Sequence, residues 1–321
     1  MRSKSLGIVV LLLAILATVA GWAWWQGSRT SRAKVVEYAV GDGKDTPVAI
    51  ALAPDGAAWF TLDGTDVVGV VRNGKVERVK RGASSVEPAG IGVDANGNVW
   101  ATDATNVAIT RIAPNGEVSS APLGTPIARL GRLSVARDGA VWFAEATRYS
   151  FTRLKDGQLT RNEFESLRGG PYGVAVAGDG TVWGTLQSGN QLVRIGTDGK
   201  ITEYDIPTRG SAPTDIVVDG NGEVWFIEFR GNKLGRFSAG KFAEYAMPEG
   251  ASGLSGLATG KNGEVWFGVL RGASLGRWRD GKIELLRLPR EQARPYSLAS
   301  DANGRIWYAD IAGYVGQVMN D

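Results

Sequence analysis

Residues 213–236 run Pro213-Thr214-Asp215-Ile216-Val217-Val218-Asp219-Gly220-Asn221-Gly222-Glu223-Val224-Trp225-Phe226-Ile227-Glu228-Phe229-Arg230-Gly231-Asn232-Lys233-Leu234-Gly235-Arg236. An apolar run, an Asn-Gly pair, a second apolar run carrying a tryptophan and a glycine-bearing return describe short strands joined by tight reversals. Working outward, the tryptophan recurs as Trp59, Trp100, Trp142, Trp183, Trp225, Trp266 and Trp307, at steps of 41 or 42 residues. Each follows an Asp-Gly or Asn-Gly pair, at Asp55, Asn96, Asp138, Asp179, Asn221, Asn262 and Asn303. Both pairs tolerate the positive φ of a type I′ hairpin turn, which is the turn expected there. A second set of turns lies about 15 residues past the first six tryptophans, at Asn73-Gly74, Asn115-Gly116, Asp156-Gly157, Asp198-Gly199, Ala239-Gly240 and Asp280-Gly281. Two hairpins in roughly 40 to 45 residues make a four-stranded propeller blade.

The expected fold is therefore all-β: a seven-bladed β-propeller over residues 35–321. The last repeat reaches Asp321 with three strands only. Glu37-Tyr38-Ala39-Val40 matches the outer strands Glu203-Tyr204-Asp205-Ile206 and Glu244-Tyr245-Ala246-Met247, so Val35 to Val40 is expected to complete blade 7. Closing the ring in this way removes an exposed sheet edge.

Ahead of the repeats, Leu6 to Trp25 is a run of twenty residues without a charge. That length suits a transmembrane helix better than the shorter apolar core of a cleaved signal peptide. Residues 1–28 are read as a membrane anchor, with a cleaved signal as the alternative, and 29–34 as a linker. A long domain crosses a membrane largely regardless of charge. The expectation is thus a single pass through the cell inner membrane with the propeller in the periplasm or outside the cell, or a secreted protein if the signal is cut.

The chain has no cysteine and no histidine, which excludes disulfides, thiolate chemistry and the commonest general base and metal ligand. Four of its 36 basic residues (Arg2, Lys4, Arg29, Arg32) fall in the first 32 positions, where there is no acidic residue, leaving 32 against 33 for the rest. A near-neutral domain argues against nucleic acid as a partner. A monomer is expected.

The phrase Pro213-Thr214-Asp215-Ile216, followed by Val224-Trp225-Phe226-Ile227-Glu228 and Asn232-Lys233-Leu234-Gly235-Arg236, resembles the repeat of the streptogramin B (virginiamycin B) lyase family, and the resemblance covers Lys34 to Asp321. It implies a carbon-oxygen lyase that opens a cyclic depsipeptide by elimination, using histidine bases and a Mg2+ held by carboxylates. Three residues past the tryptophans stand Leu62, Asp103, Glu145, Leu186, Glu228, Val269 and Asp310. Where the family places its histidines, this chain has Ala312 and Tyr296, or Pro295 if the alignment slips by one. The resemblance leaves Asp310 as a candidate magnesium ligand and Glu228, Glu145 and Tyr296 as candidate replacement bases, and it makes Mg2+ the one cofactor to consider.

The tryptophans, and the recurring Arg111, Arg153, Arg194, Arg236 and Arg277, read as packing between blades. Other arginines fall in loops at one end of the barrel: Arg148, Arg230 and Arg271 after tryptophan strands, Arg168, Arg209 and Arg294 before inner strands. Together with Asp103 they are the candidate ligand-binding residues, expected to ring a funnel in which Glu145 and Glu228 each lie near an arginine. Guanidinium forks suit carboxylates and phosphates. The function expected is binding of an anionic small molecule, cell-envelope polymer or protein on this face. A lyase with a non-histidine base and a structural interaction hub are the alternatives.

Overall fold

The two turns of each repeat close two hairpins, and the hairpins assemble into seven antiparallel sheets around one axis. The computed structural model describes residues 31–41, 45–81, 87–164 and 169–319. Blade 5 shows the pattern: inner strand Pro213–Val218, tryptophan strand Val224–Glu228, third strand Lys233–Ser238 and outer strand Lys241–Ala246. Among the described residues, helix is confined to the single turns Ala146–Arg148 and Lys261–Gly263.

Closure is as expected. Val35–Ala39 pairs antiparallel with Tyr314–Val318, placing Glu37 opposite Gly316. Glu37 then accepts from Arg290 (2.9 and 3.0 Å) and from the Tyr308 hydroxyl (2.7 Å), while Arg290 also reaches Asp310 at 2.5 Å. The guanidinium lies over the Tyr314 ring. This half-buried network fixes the register of the closing strand. The chain ahead of it is also engaged: Ser31–Arg32 adds to blade 6 as a parallel fifth strand beside Leu286 and Arg287, and Ala33 is buried. The stretch expected to be a linker is thus part of the sheet from Ser31 onward. The expected anchor lies outside the described residues, among which no helix is long and apolar enough to cross a membrane.

Six of the seven turns before the tryptophans differ from expectation; Asn262-Gly263, with both φ positive, has the expected form. At Asp55-Gly56 only the glycine has positive φ. Gly56 N–H bonds the Ala53 carbonyl, and Asp55 accepts from the Ala57 N–H at 3.0 Å. This is a type I turn followed by a left-handed glycine, with the aspartate side chain folding back on the loop. The two-residue form with both φ positive appears in four of the second hairpins, at Asn73-Gly74, Asp156-Gly157, Ala239-Gly240 and Asp280-Gly281.

Seven apolar clusters fill the spaces between blades. Trp183 of blade 4 packs with Phe226 of blade 5, and Trp225 of blade 5 with Phe267 of blade 6. The ring after each such tryptophan lies flat on the third strand, where a Cβ on Gly235 would come within 2.2 Å of Phe226. That contact explains the glycine of the Leu-Gly-Arg phrase. The arginine beside it covers the tryptophan from the same sheet, Arg236 lying 5.6 Å from the Trp225 ring. The tryptophans pack between blades as expected, whereas the recurring arginines, expected to do the same, lie over the tryptophan of their own blade and pair with its carboxylates, as Arg236 does with Glu223 and Arg277 with Glu284.

Candidate functional site at the axial mouth

The end of the propeller where tryptophan strands finish and inner strands begin carries two sets of polar side chains. The first is set by regular strand register. Glu228 is paired with Pro213 on one side and Lys233 on the other, and its side chain is fully buried. Glu145 is fully buried and accepts from Thr152 Oγ1 (2.9 Å) and from Arg161 Nε (3.1 Å), a residue of the outer strand. Asp310 is also fully buried, and its oxygens accept from Arg290, from Arg294 N and from Ala312 N, the last two at 2.8 Å. Asp103 is capped by Asn106 through N at 2.9 Å and Nδ2 at 2.8 Å.

Glu228 differs from the other three. It is fully buried with neither carboxylate oxygen hydrogen-bonded. Burial, and next the charge of Glu244, push its carboxyl up to about 7 against the opposing pull of Lys233. Lys233 itself is engaged with Glu244 (2.7 Å) and Thr208 (2.6 Å).

The second set comes from β-bulges. The register slips near the start of blade 3 between Leu130 and Leu133, of blade 4 between Pro171 and Val174, of blade 5 between Pro213 and Ile216, and of blade 7 between Pro295 and Ser297. A bulge leaves a residue unpaired and re-aims its side chain. The residues inside these slips include Arg132, Tyr172, Asp215 and Tyr296, and all four meet on the axis.

Arg132 is buried and crosses the ring, donating from Nη1 to the Val48 (3.3 Å) and Ala89 (3.1 Å) carbonyls of blades 1 and 2. Its Nε is buried without a hydrogen-bond partner and stands 3.9 Å from Asp215 Oδ1. The Tyr296 and Tyr172 rings lie 5.4 and 6.0 Å from the guanidinium, with their hydroxyls 3.5 Å apart. Burial alone would lower the Arg132 guanidinium, but Tyr172, Asp215 and Tyr296 raise it and keep it charged. The Arg132 charge pulls the Tyr172 phenol down, yet burial, the Tyr296 hydroxyl and the Asp215 charge outweigh it and push that phenol up to about 12. At neutral pH Tyr172 is a hydrogen-bond donor.

Arg132 and Asp215 line two cavities at once. Above them is a mouth of about 210 Å³ walled by Tyr172, Tyr296, Phe229, Leu254 and Leu270, with Gln187 at its edge. Below them the axial channel, about 290 Å³, is lined by all seven inner strands. The Arg132–Asp215 pair is the floor of the first and the roof of the second.

The expected funnel of arginines is not what the axis holds. Arg148, Arg209, Arg230, Arg271 and Arg294 are exposed. Among the described residues none of the five has a carboxylate within 4.0 Å, and none lines the mouth or the channel. Arg168 lies outside the described residues. Glu145 does have an arginine, but it is Arg161, and the cation near Glu228 is Lys233. Of the expected residues that the structure describes, only Tyr296 lines the mouth. Arg132 and Tyr172 were not singled out by sequence. For Tyr172 the available signal was the Pro at the head of its inner strand, Pro171, shared with Pro213 before Asp215 and Pro295 before Tyr296; Arg132 follows Leu130-Gly131 and carried no such signal.

Magnesium finds no cradle. Among the described residues no three acidic side chains converge to hold a metal, and Asp310 is taken up by protein donors. The one carboxylate expected to hold that ion is thus already engaged.

The virginiamycin B lyase family model matches residues 26–130 and 74–321. The chain belongs to this family. Its fold matches the catalytically inactive virginiamycin B lyase of Staphylococcus aureus with quinupristin at a TM-score of 0.84 and 23% identity, covering 90% of this chain and 99% of that one. A streptogramin B lyase structure gives 0.85 and 24%, covering 90% and 98%. A more distant likeness, at a TM-score of 0.72 and 13% identity, is to YCF48 bound to D1 peptide, covering 91% of this chain and 100% of that one. No curated protein matches the chain.

Proposed function

We propose that this virginiamycin B lyase family member binds a peptide-like ligand at the axial mouth and does not carry out histidine-based elimination. The observation that carries the reading is Arg132, a buried, charged guanidinium on the axis whose Nε lacks a hydrogen bond and whose surroundings open upward into a partly apolar cavity. A buried donor left unmet costs stability, and a ligand atom reaching the floor would meet it. A volume of about 210 Å³ admits one side chain or ring of a larger molecule, the remainder resting on the rim beside half-exposed Phe229.

The chemistry at the mouth favours binding over proton abstraction. The chain has no histidine. Arg132 and Tyr172 are donors at neutral pH, and both Asp215 oxygens already accept backbone N–H groups. Glu228, the carboxyl nearest neutrality, does not line the mouth. Read as an uncleaved anchor, Leu6 to Trp25 would hold the propeller at the membrane through residues 26–30, and the propeller is placed outside the cytoplasm because a long domain crosses largely regardless of charge. Mass spectrometry of the mature protein should find Met1 or Arg2 retained, and a start near Trp24 would make it a secreted protein.

The test is incubation of the purified full-length chain with quinupristin, with and without magnesium. Ring opening by elimination conserves mass, whereas hydrolysis adds a water, so products are followed by chromatography as well as mass. Binding with product at background is expected. Ring-opened product well above background would overturn the reading.

A further inference from the structure

Resting on that reading, we infer that the Arg132–Asp215 floor recognises a neutral amide group of the ligand, with its carbonyl oxygen accepting from Arg132 and its N–H donating to Asp215. A guanidinium has five N–H donors. Nη1 serves the Val48 and Ala89 carbonyls, while Nε is buried and unpartnered. Asp215 is held by Ile216 N on Oδ1 (3.2 Å) and Leu257 N on Oδ2 (3.0 Å). Each carboxylate oxygen retains a further lone pair. The 3.9 Å between Nε and Oδ1 is too long for a hydrogen bond and leaves the two groups side by side. The floor therefore offers an unmet donor next to a spare acceptor, the complement of an amide edge.

A carboxylate or phosphate fits less well. Arg132 would attract it, and Asp215 would repel it at a similar distance. The anion would also surrender its hydration on the buried floor, a cost far larger than the one a neutral amide bears. The flanking Tyr172 and Tyr296 rings, with Leu254 and Leu270, take the apolar group that carries the amide. Asp215 thus sets specificity: it converts an anion-attracting arginine into a reader of a neutral polar group.

Three probes sharing one phenyl chain separate the possibilities: 3-phenylpropanamide (donor and acceptor), methyl 3-phenylpropanoate (acceptor only) and 3-phenylpropanoate (anion). Affinities for the full-length chain are measured by saturation-transfer NMR, with Phe229→Ala showing which signal arises at the mouth. The amide should bind about fivefold tighter than the ester, as one added hydrogen bond predicts, and about tenfold tighter than the carboxylate. Asp215→Asn should reverse the order, raising carboxylate affinity about tenfold. Should that variant not fold, as judged by thermal melting, the wild-type ranking decides alone. Equal binding of the three, tighter binding of the carboxylate, or no binding of the amide overturns the inference while quinupristin binding leaves the mouth reading intact. Loss of quinupristin binding as well would bring down the mouth reading itself.

Discussion

The carboxylates three residues past the tryptophans and the bulge residues of the inner strands occupy the same end of the propeller with opposite fates. Glu145, Asp103 and Asp310 sit at regular register positions, are buried among the strands of their own blades, and are met by Arg161, Asn106 and Arg290. Arg132, Tyr172, Asp215 and Tyr296 sit where the register slips, and their side chains reach the axis. A residue that keeps the ladder in step is held by the ladder. A residue left over by a bulge is free to face a ligand.

The comparison breaks first if the register-bound network proves dispensable. Arg290→Ala would leave Glu37 and Asp310 beside each other without their shared cation, and losing one partner of a buried pair costs about 3–5 kcal/mol. A clear fall in melting temperature is expected by calorimetry, and an unchanged melt would mean that the closing strand is held by backbone pairing alone.

The next effect depends on pH. The folded Glu228 carboxyl sits at about 7 against an ordinary 4.5. Between those values the folded chain keeps a proton that the unfolded chain has released, so stability falls as pH rises across the window and stays reduced above it. Glu228→Gln, which does not titrate, should therefore stabilise the protein at pH 8 by about 3 kcal/mol, the equivalent of the shift at 1.36 kcal/mol per unit. At pH 4 it should change little. Equal melting-temperature gains at both pH values would show that Glu228 is not held protonated.

These assignments mark how far the sequence could be read. The tryptophan period, the paired turns and the match of Glu37-Tyr38 to Glu203-Tyr204 and Glu244-Tyr245 gave the ring and its closure, because strand periodicity and turn chemistry are local. The turn type was misjudged, since Asp55 turns back on the Ala57 N–H where a two-residue turn was expected. The site was less legible for a physical reason. Arg132 is one more arginine in a chain with many, and only the bulge between Leu130 and Leu133, a feature of strand pairing, brings it onto the axis. The loop arginines stood out by number, but Arg148, Arg209, Arg230, Arg271 and Arg294 are solvated.

That last point makes the smallest prediction. Arg230→Ala combined with Arg271→Ala should move stability by no more than about 0.5 kcal/mol, as for surface positions without partners. Quinupristin binding should also be unchanged, and a marked loss would return the binding site to the exposed arginines.

The most direct test sets one member of each group against the other. Calorimetric titration of quinupristin is run on the full-length protein, on Arg132→Met and on Glu228→Gln, each first shown to melt cooperatively. If the bulge residues form the site, Arg132→Met weakens binding at least about tenfold, as loss of a hydrogen-bonding charged group predicts, and Glu228→Gln binds as the parent does. Parent-like binding by Arg132→Met together with loss in Glu228→Gln would contradict the account and return the function to the carboxylates of the tryptophan strands.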